Sequence, residues 1–178
     1  VDQKQIKSAA IIGAGFIGVE LAENLQHRGI ETTIVEFREN ILPQFDPEMI
    51  EPMQQVLVEH GIKLALSSET EEVLENTLRL KDGRIIPADL VVAAIGVVAD
   101  NKLAVDAGLT IGFAGGILVD DQMQTSNEHV YAVGDAAEKT SFITGQNQMI
   151  WLANLANRHG RLVADVIAGE SVKARPSI

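Results

Sequence analysis

The chain has 178 residues, 46% of them hydrophobic, which suits one large domain or a domain and a half around a real core and argues against a disordered chain. A net charge of −11 repels nucleic acid and anionic lipid, so neither is an expected partner. Cysteine is absent, which excludes a disulfide, a zinc–thiolate site and a cysteine nucleophile, and no apolar run reaches the roughly 18 residues of a membrane span.

The opening VDQKQIK lacks methionine and is unlike a signal peptide. Together with the tail VKARPSI, it leads us to expect a piece of a longer protein. Ser8–Ile12 reads as a strand buried on both faces, followed by a helix over Phe16–Arg28 with Ile17, Leu21 and Leu25 on one face and Gly29 as its stop. The β-branched run Thr32–Val35 predicts the second strand, closed by Glu36. Asp46 is a candidate N-cap and Pro47 suits a first helical turn, so a second helix is expected to His60, kinked but not broken by Pro52. Ile62–Leu66 predicts the third strand.

The pattern then changes. Glu69–Glu75, Thr77–Leu80 and Arg84–Pro87 read as three short strands, with Asp82-Gly83 as a hairpin turn. Asp89–Ile95 is another wholly apolar strand, ending at Gly96. A less regular crossing follows over residues 97–115, with a short helix near Lys102–Ala107. Gly116–Val119 and Val130–Val133 predict two more strands, and Met149–Ala168 a last helix closed by Gly169. The fold class is α/β: a doubly wound, Rossmann-like parallel sheet with an antiparallel three-strand meander.

Within this order the stretch IIGAGFIGVE carries chemistry. Gly13, Gly15 and Gly18 form a G-x-G-x-x-G motif that follows a predicted strand and opens a predicted helix. Gly13 permits the tight turn, Gly15 lets a pyrophosphate touch the backbone, and Gly18 lets the helix lie close to the sheet. The unpaired N–H groups and dipole of the helix start then meet the phosphates. Glu36 stands about 20 residues on, where an acid accepts from the adenosine 2′-hydroxyl of NAD and repels the 2′-phosphate of NADP. NAD(H) is therefore the expected dinucleotide in preference to NADP(H), with Arg38 a partial offset. The bland alternative is a ligand-free turn beside a surface glutamate.

Other candidates stay open. Glu20 either positions a nicotinamide or a neighbouring flavin, or is an ordinary first-turn acid. Gly96 ends a parallel strand at the edge where such sheets bind ligands, or is a plain strand-end glycine. His27, His60, His129 and His159 lack metal spacing and read as surface or helix-end residues. The acidic run SSETEEVLEN reads as the solvated face of the meander. Met149, Trp151, Leu152 and Leu155 fit the buried face of the last helix, with cofactor lining as the alternative. No catalytic residue and no metal ligand is expected.

The segment TSNEHVYAVGDAAE resembles the second flavin motif of the pyridine nucleotide-disulfide oxidoreductases. That resemblance implies that Asp135 bonds the ribityl hydroxyls of FAD and that Gly134 allows close approach. GAGFIGVELAENL resembles the family's inserted NAD-binding motif, ILPQFDPEM the loop and helix start after its second strand, and AAIGVVADN the return toward the flavin domain. WLANLANRHGRLVADVIAG is similar to the helix that faces the flavin in the coenzyme A-disulfide reductase and NADH oxidase branch, with Leu155 where a proline commonly stands. The resemblance implies an NAD(H)-binding domain over 1–112 and the C-terminal part of an FAD-binding α/β domain over 113–178. It implies cofactor contacts from Gly13, Gly15, Phe16, Ile17, Gly18, Glu20, Glu36, Phe37, Arg38, Gly96, Gly134 and Asp135.

The implied activity is hydride transfer from NAD(P)H to FAD, then to a disulfide, a persulfide or oxygen. The parent is expected to be a cytoplasmic homodimer, paired through a C-terminal domain, acting on small molecules without nucleic-acid or membrane partners. The fragment alone is expected to hold FAD poorly and to be inactive. A non-catalytic NADH-sensing module shares the glycine turn but gives no reason for Gly134-Asp135. A free-standing NAD-dependent dehydrogenase would need a Ser/Tyr/Lys or histidine constellation, and the single Tyr131 lies in a predicted buried strand.

Overall fold

The computed structural model describes residues 6–141 and 143–174. Most of the two terminal stretches behind the expectation of a longer protein, residues 1–5 and 175–178, lies outside them. The chain forms two compact units, Val1–Gly96 and Val97–Ile178. The sequence reading puts its domain boundary after residue 112, whereas the segment 97–112 groups with the second unit.

In the first unit, β1 (Ser8–Ile12), β2 (Glu31–Val35), β3 (Lys63–Ala65) and β7 (Leu90–Ala93) form a parallel sheet in the order β3-β2-β1-β7. The helices α1 (Phe16–His27) and α2 (Pro47–Glu59) connect the first three strands. β4 (Thr70–Leu74), β5 (Thr77–Leu80) and β6 (Ile85–Pro87) make the antiparallel meander. Strand alternation sorts the apolar residues into two layers. Ile11 and Ile34 point to one face and pack with Ala22, Ile50 and Ile62. Ala10 and Val35 point to the other and pack with Leu78, Leu80 and Ile86 of the meander. Both faces are covered, which is why these strands read as continuous apolar runs rather than alternating ones. Asp46 takes the N-cap position of α2 and the helix continues through Pro52.

In the second unit, α3 (Lys102–Asp106) is followed by β8 (Ile117–Leu118), a single 3-10 turn at Gly134–Ala136, β9 (Ala137–Thr140), β10 (Asn147–Met149) and α4 (Ala153–Ile167). β9 is central, parallel to β8 and antiparallel to β10. Three expectations differ here. Val130–Val133 makes one bridge, Gln124 to Tyr131, instead of a strand. Its backbone turns back on the segment just before it, through Thr125 N–H to Val130 C=O (2.9 Å) and Ala132 N–H to Met123 C=O (3.0 Å). β9 and β10 have the polar sequences AEKT and NQM, which carry no strand signal. The last helix starts at Ala153 because Met149 is taken by β10 and Leu152 is extended, at φ −129° and ψ 122°. Trp151 and Leu152 are therefore exposed, off the buried face on which the sequence pattern placed them. No helix among the described residues is long and apolar enough to cross a membrane.

Candidate functional site

The strand order places a topological switch at β1: β2 lies on one side and β7 on the other. In open parallel sheets ligands bind outside the carboxyl ends of the strands at such a point. The glycine turn leaves β1 there. A cleft of about 640 Å³ opens beside it, bordered by Gly13, Gly15, Glu36, Phe37, Arg38 and Gly96 among others.

The three turn glycines have different reasons to be glycine. Gly13 has φ +102°, and a Cβ on it would sit 2.4 Å from the Ala94 carbonyl oxygen at the end of β7. Its N–H donates to Val35 C=O at 2.8 Å, so this residue closes the turn against both neighbouring strands. A Cβ on Gly18 would lie 2.0 Å from the Gly13 carbonyl oxygen, so its absence lets α1 seat on the turn. Gly15, the N-cap of α1, has φ −73°, which any residue can adopt, and nothing lies within 4 Å of the Cβ position. Serine, aspartate or asparagine would cap better. The fold gives no reason for glycine at 15, whereas a ligand pressed against the backbone does.

Glu36 is not a surface residue. It is 5% exposed and accepts hydrogen bonds from Ala14 N–H (2.8 Å, Oε2) and Arg38 N–H (3.0 Å, Oε1). A buried carboxylate is stable only with such donors. Ala14 C=O in turn accepts from Leu42 N–H at 2.8 Å, so the loop after β2 is locked to the same turn. Each carboxylate oxygen has two acceptor positions, so Glu36 keeps capacity for a sugar hydroxyl. Phe37 is exposed at the cleft, and the Arg38 guanidinium carbon lies 5.2 Å from its ring centroid.

Phe16, Ile17 and Gly18 lie in the first turn of α1, where backbone N–H groups have no partner within the helix, and Glu20 lies just beyond it. Phe16 and Ile17 are exposed; Phe16 packs edge-on against Phe45 at 5.8 Å. Glu20 is exposed and its carbonyl accepts from Asn24 Nδ2 at 2.8 Å. Gly96, at φ +110°, has open space at its Cβ position and borders the cleft.

Gly134 and Asp135 belong to the second unit. Gly134 has φ +73°, a left-handed conformation that favours glycine, and begins the 3-10 turn. Asp135 is exposed within that turn, a free-facing acceptor of the kind that bonds sugar hydroxyls. The residues present thus fit a dinucleotide at the glycine turn and a polyol acceptor at Asp135. Sequence reasoning missed three buried polar residues here. Glu138 is 1% exposed and accepts from Ala114 N–H (3.0 Å) and Gly116 N–H (3.2 Å). Lys139 is 4% exposed. His159 is buried, not a surface residue as expected; burial, and then the charges of Lys139 and Arg158, hold its imidazole below the usual value. The polar sequence of β9 gave no signal for Glu138 and Lys139, and nothing in the α4 pattern singled out His159 as buried. Among the described residues no group of His, Asp or Glu could hold a metal ion.

The comparisons with known proteins agree with one another. A family profile described as pyridine nucleotide-disulphide oxidoreductase matches residues 1–160. An NADH oxidase of Methanocaldococcus jannaschii is 38% identical over 99% of the chain, which covers 40% of that protein. The crystal structure of reduced Bacillus anthracis CoADR-RHD is 41% identical with a TM-score of 0.93, covering 98% of this chain and 32% of that one. An FAD-dependent pyridine nucleotide-disulphide oxidoreductase from Desulfovibrio vulgaris is 30% identical with a TM-score of 0.90, covering 97% and 45%. The chain therefore spans less than half the length of these relatives.

Proposed function

Since the chain belongs to the pyridine nucleotide-disulphide oxidoreductase family, we propose that it is the NADH-binding and partial FAD-binding segment of a flavin-dependent oxidoreductase. The pyrophosphate of NADH rests on the first turn of α1, against Gly15. Glu36 receives the adenosine ribose, and Gly96 leaves space at the carboxyl end of β7. Asp135 accepts from the ribityl hydroxyls of FAD. A flavin bound there would supply a two-electron carrier between NADH and a disulfide, a persulfide or oxygen. The chain's contribution is placement, because hydride transfer needs near-contact geometry. A cytoplasmic location belongs to this reading and is supported by the NADH chemistry proposed for the parent protein.

NADH is preferred to NADPH in this reading. A buried Glu36 meets the 2′-phosphate with little screening: two unit charges 4 Å apart at an effective dielectric near 20 repel by about 4 kcal/mol. Even after partial offset by Arg38, a discrimination of about tenfold or more is expected, since 1.4 kcal/mol is one decade.

The open space at Gly15 carries this proposal. Titration with NADH and NADPH, followed by nicotinamide fluorescence, tests it on the wild type and on Gly15→Ala. The expected result is saturable binding that favours NADH, weakened at least about tenfold by the added methyl. A folded Gly15→Ala protein with unchanged NADH affinity would overturn the reading.

A further inference from the structure

Two adjacent charged residues of β9 are buried on its opposite sides. Glu138 holds the loop at residues 112–116, through Ala114 and Gly116. Lys139 faces the other way. Its ammonium donates to the Gly134 carbonyl at 2.7 Å and reaches the Ile150 carbonyl at 3.4 Å. Lysine is rarely this buried unless paired. Lys63, Lys81, Lys102 and Lys173 show the ordinary pattern: each is exposed and paired with a carboxylate. Lys139 has two carbonyls instead, one on the flavin-motif turn and one on the segment leading into α4.

We propose that Lys139 is a positioning residue for the flavin site: its ammonium pins the Gly134 carbonyl, and thereby sets the direction in which Asp135 presents its carboxylate. The inference rests on the reading of Asp135 as a flavin ligand. The Gly134 carbonyl also accepts from Ala137 N–H, the bond that closes the 3-10 turn, so the ammonium adds a charge-assisted bond to a backbone one. Asp135 is exposed, and among the described residues its carboxylate has no hydrogen-bond donor of its own. Gly134 is in the left-handed conformation, where glycine supplies freedom rather than rigidity. A carbonyl held by an ammonium is a charge-assisted bond, stronger than a neutral one. Burial pushes the lysine's pKa down, and the Asp135 carboxylate pulls it back, which places the two charges within mutual influence. His159 is buried too; among the described residues its Nδ1 has no partner, and its imidazole is held below the usual value first by burial and then by the Lys139 charge.

The test uses the full-length protein, stripped of flavin and titrated with FAD by fluorescence quenching. Four forms are compared: wild type, Lys139→Met, Asp135→Asn and the double variant. Lys139→Met is expected to weaken FAD binding about tenfold or more, the loss of one charge-assisted bond. Because the lysine acts through Asp135, the double variant should lose much less than the product of the single effects. Wild-type affinity in a folded Lys139→Met protein overturns the inference while the flavin reading stands. Fully multiplicative losses overturn it too, since they mean that the lysine acts elsewhere. A wild type that binds no FAD overturns the flavin reading and the inference with it. If Lys139→Met loses its circular-dichroism melt, Lys139→Gln, which keeps an N–H donor, takes its place. If both unfold, Lys139 serves the fold alone and the inference falls.

Discussion

Glu36 and the turn glycines show how residues of a candidate ligand site are also held by the fold. The carboxylate accepts from the N–H groups of Ala14 and Arg38, on either side of the cleft mouth. Removing its charge is therefore not a clean test of cofactor preference. Glu36→Gln sets an amide NH₂ against one of those backbone donors. Charged hydrogen bonds contribute about 1.5–3 kcal/mol, and a loss of about that size is expected in a urea melt. Discrimination between NADH and NADPH should fall in the same variant. The glycines separate more cleanly. Gly13→Ala forces a strained conformation costing about 1–3 kcal/mol before its clash with Ala94 is counted. Gly18→Ala drives α1 off the turn. Gly15→Ala should stay within ~1 kcal/mol of wild type, since a poorer cap offsets the lost chain entropy. Thermal melts of the three variants check this order. The motif was legible as three equal glycines. Only the packing around them shows that two answer to the protein and one to empty space.

At the scale of elements, the parallel sheet was legible because strands buried on both faces must be apolar throughout. The ends of its strands are tied by a clasp that no pattern announces. Asp89 Oδ2 accepts from Lys7 N–H (2.8 Å), Ser8 N–H (3.0 Å) and Ser8 Oγ (3.1 Å), and Asp89 N–H donates back to Ser8 Oγ (3.1 Å). These bonds, led by the Lys7 N–H and then Ser8, hold the Asp89 carboxyl below its ordinary 3.8. The unfolded chain therefore takes up the proton first. The clasp's contribution is full above pH 3.8 and is lost as pH falls through the lower folded value. Asp89→Asn should flatten that acid limb in urea melts run downward from pH 3.8, while leaving the neutral-pH sheet intact. The clasp was hidden because it joins the starts of β1 and β7, far apart in sequence. β9 and β10 were hidden for another reason: β9 buries the charged Glu138 and Lys139, and charge reads as surface, while β10 is the short polar run NQM.

Both units of the whole molecule leave large apolar side chains exposed, among them Phe16, Phe37 and Ile95 in the first, but they differ in their cores: among the described residues Ile11, Ile34, Ile41, Ile50, Leu78 and Leu80 are buried in the first unit, and Ala104, Met123, Ala132 and Ala137 in the second. Val1–Gly96 has helices on one sheet face and the meander on the other. Val97–Ile178 leaves Val98, Leu103, Phe113 and Ile143 largely exposed, with Trp151 and Leu152 about half so. Apolar surface left in water adds nothing to stability. Expressed alone, residues 1–96 should melt cooperatively and keep NADH binding, and residues 97–178 should melt at a lower temperature. Paired circular-dichroism melts decide this; equal melting temperatures would contradict it.

What the sequence determined by itself is local or periodic. The strand–turn–helix order, the glycine spacing, the acid after the second strand and the Gly134-Asp135 motif all follow from neighbours along the chain, where dihedral freedom and period-two or helical repeats act. What the tertiary structure decided is non-local. The burial of Glu36, the close approach of β7 to Gly13, the clasp between Ser8 and Asp89, and the enclosure of Lys139 each join segments far apart in sequence or enclose a side chain from several sides. Burial turns an ordinary surface charge into a fixed, hydrogen-bonded one, and it belongs to the packed molecule rather than to any stretch of the chain.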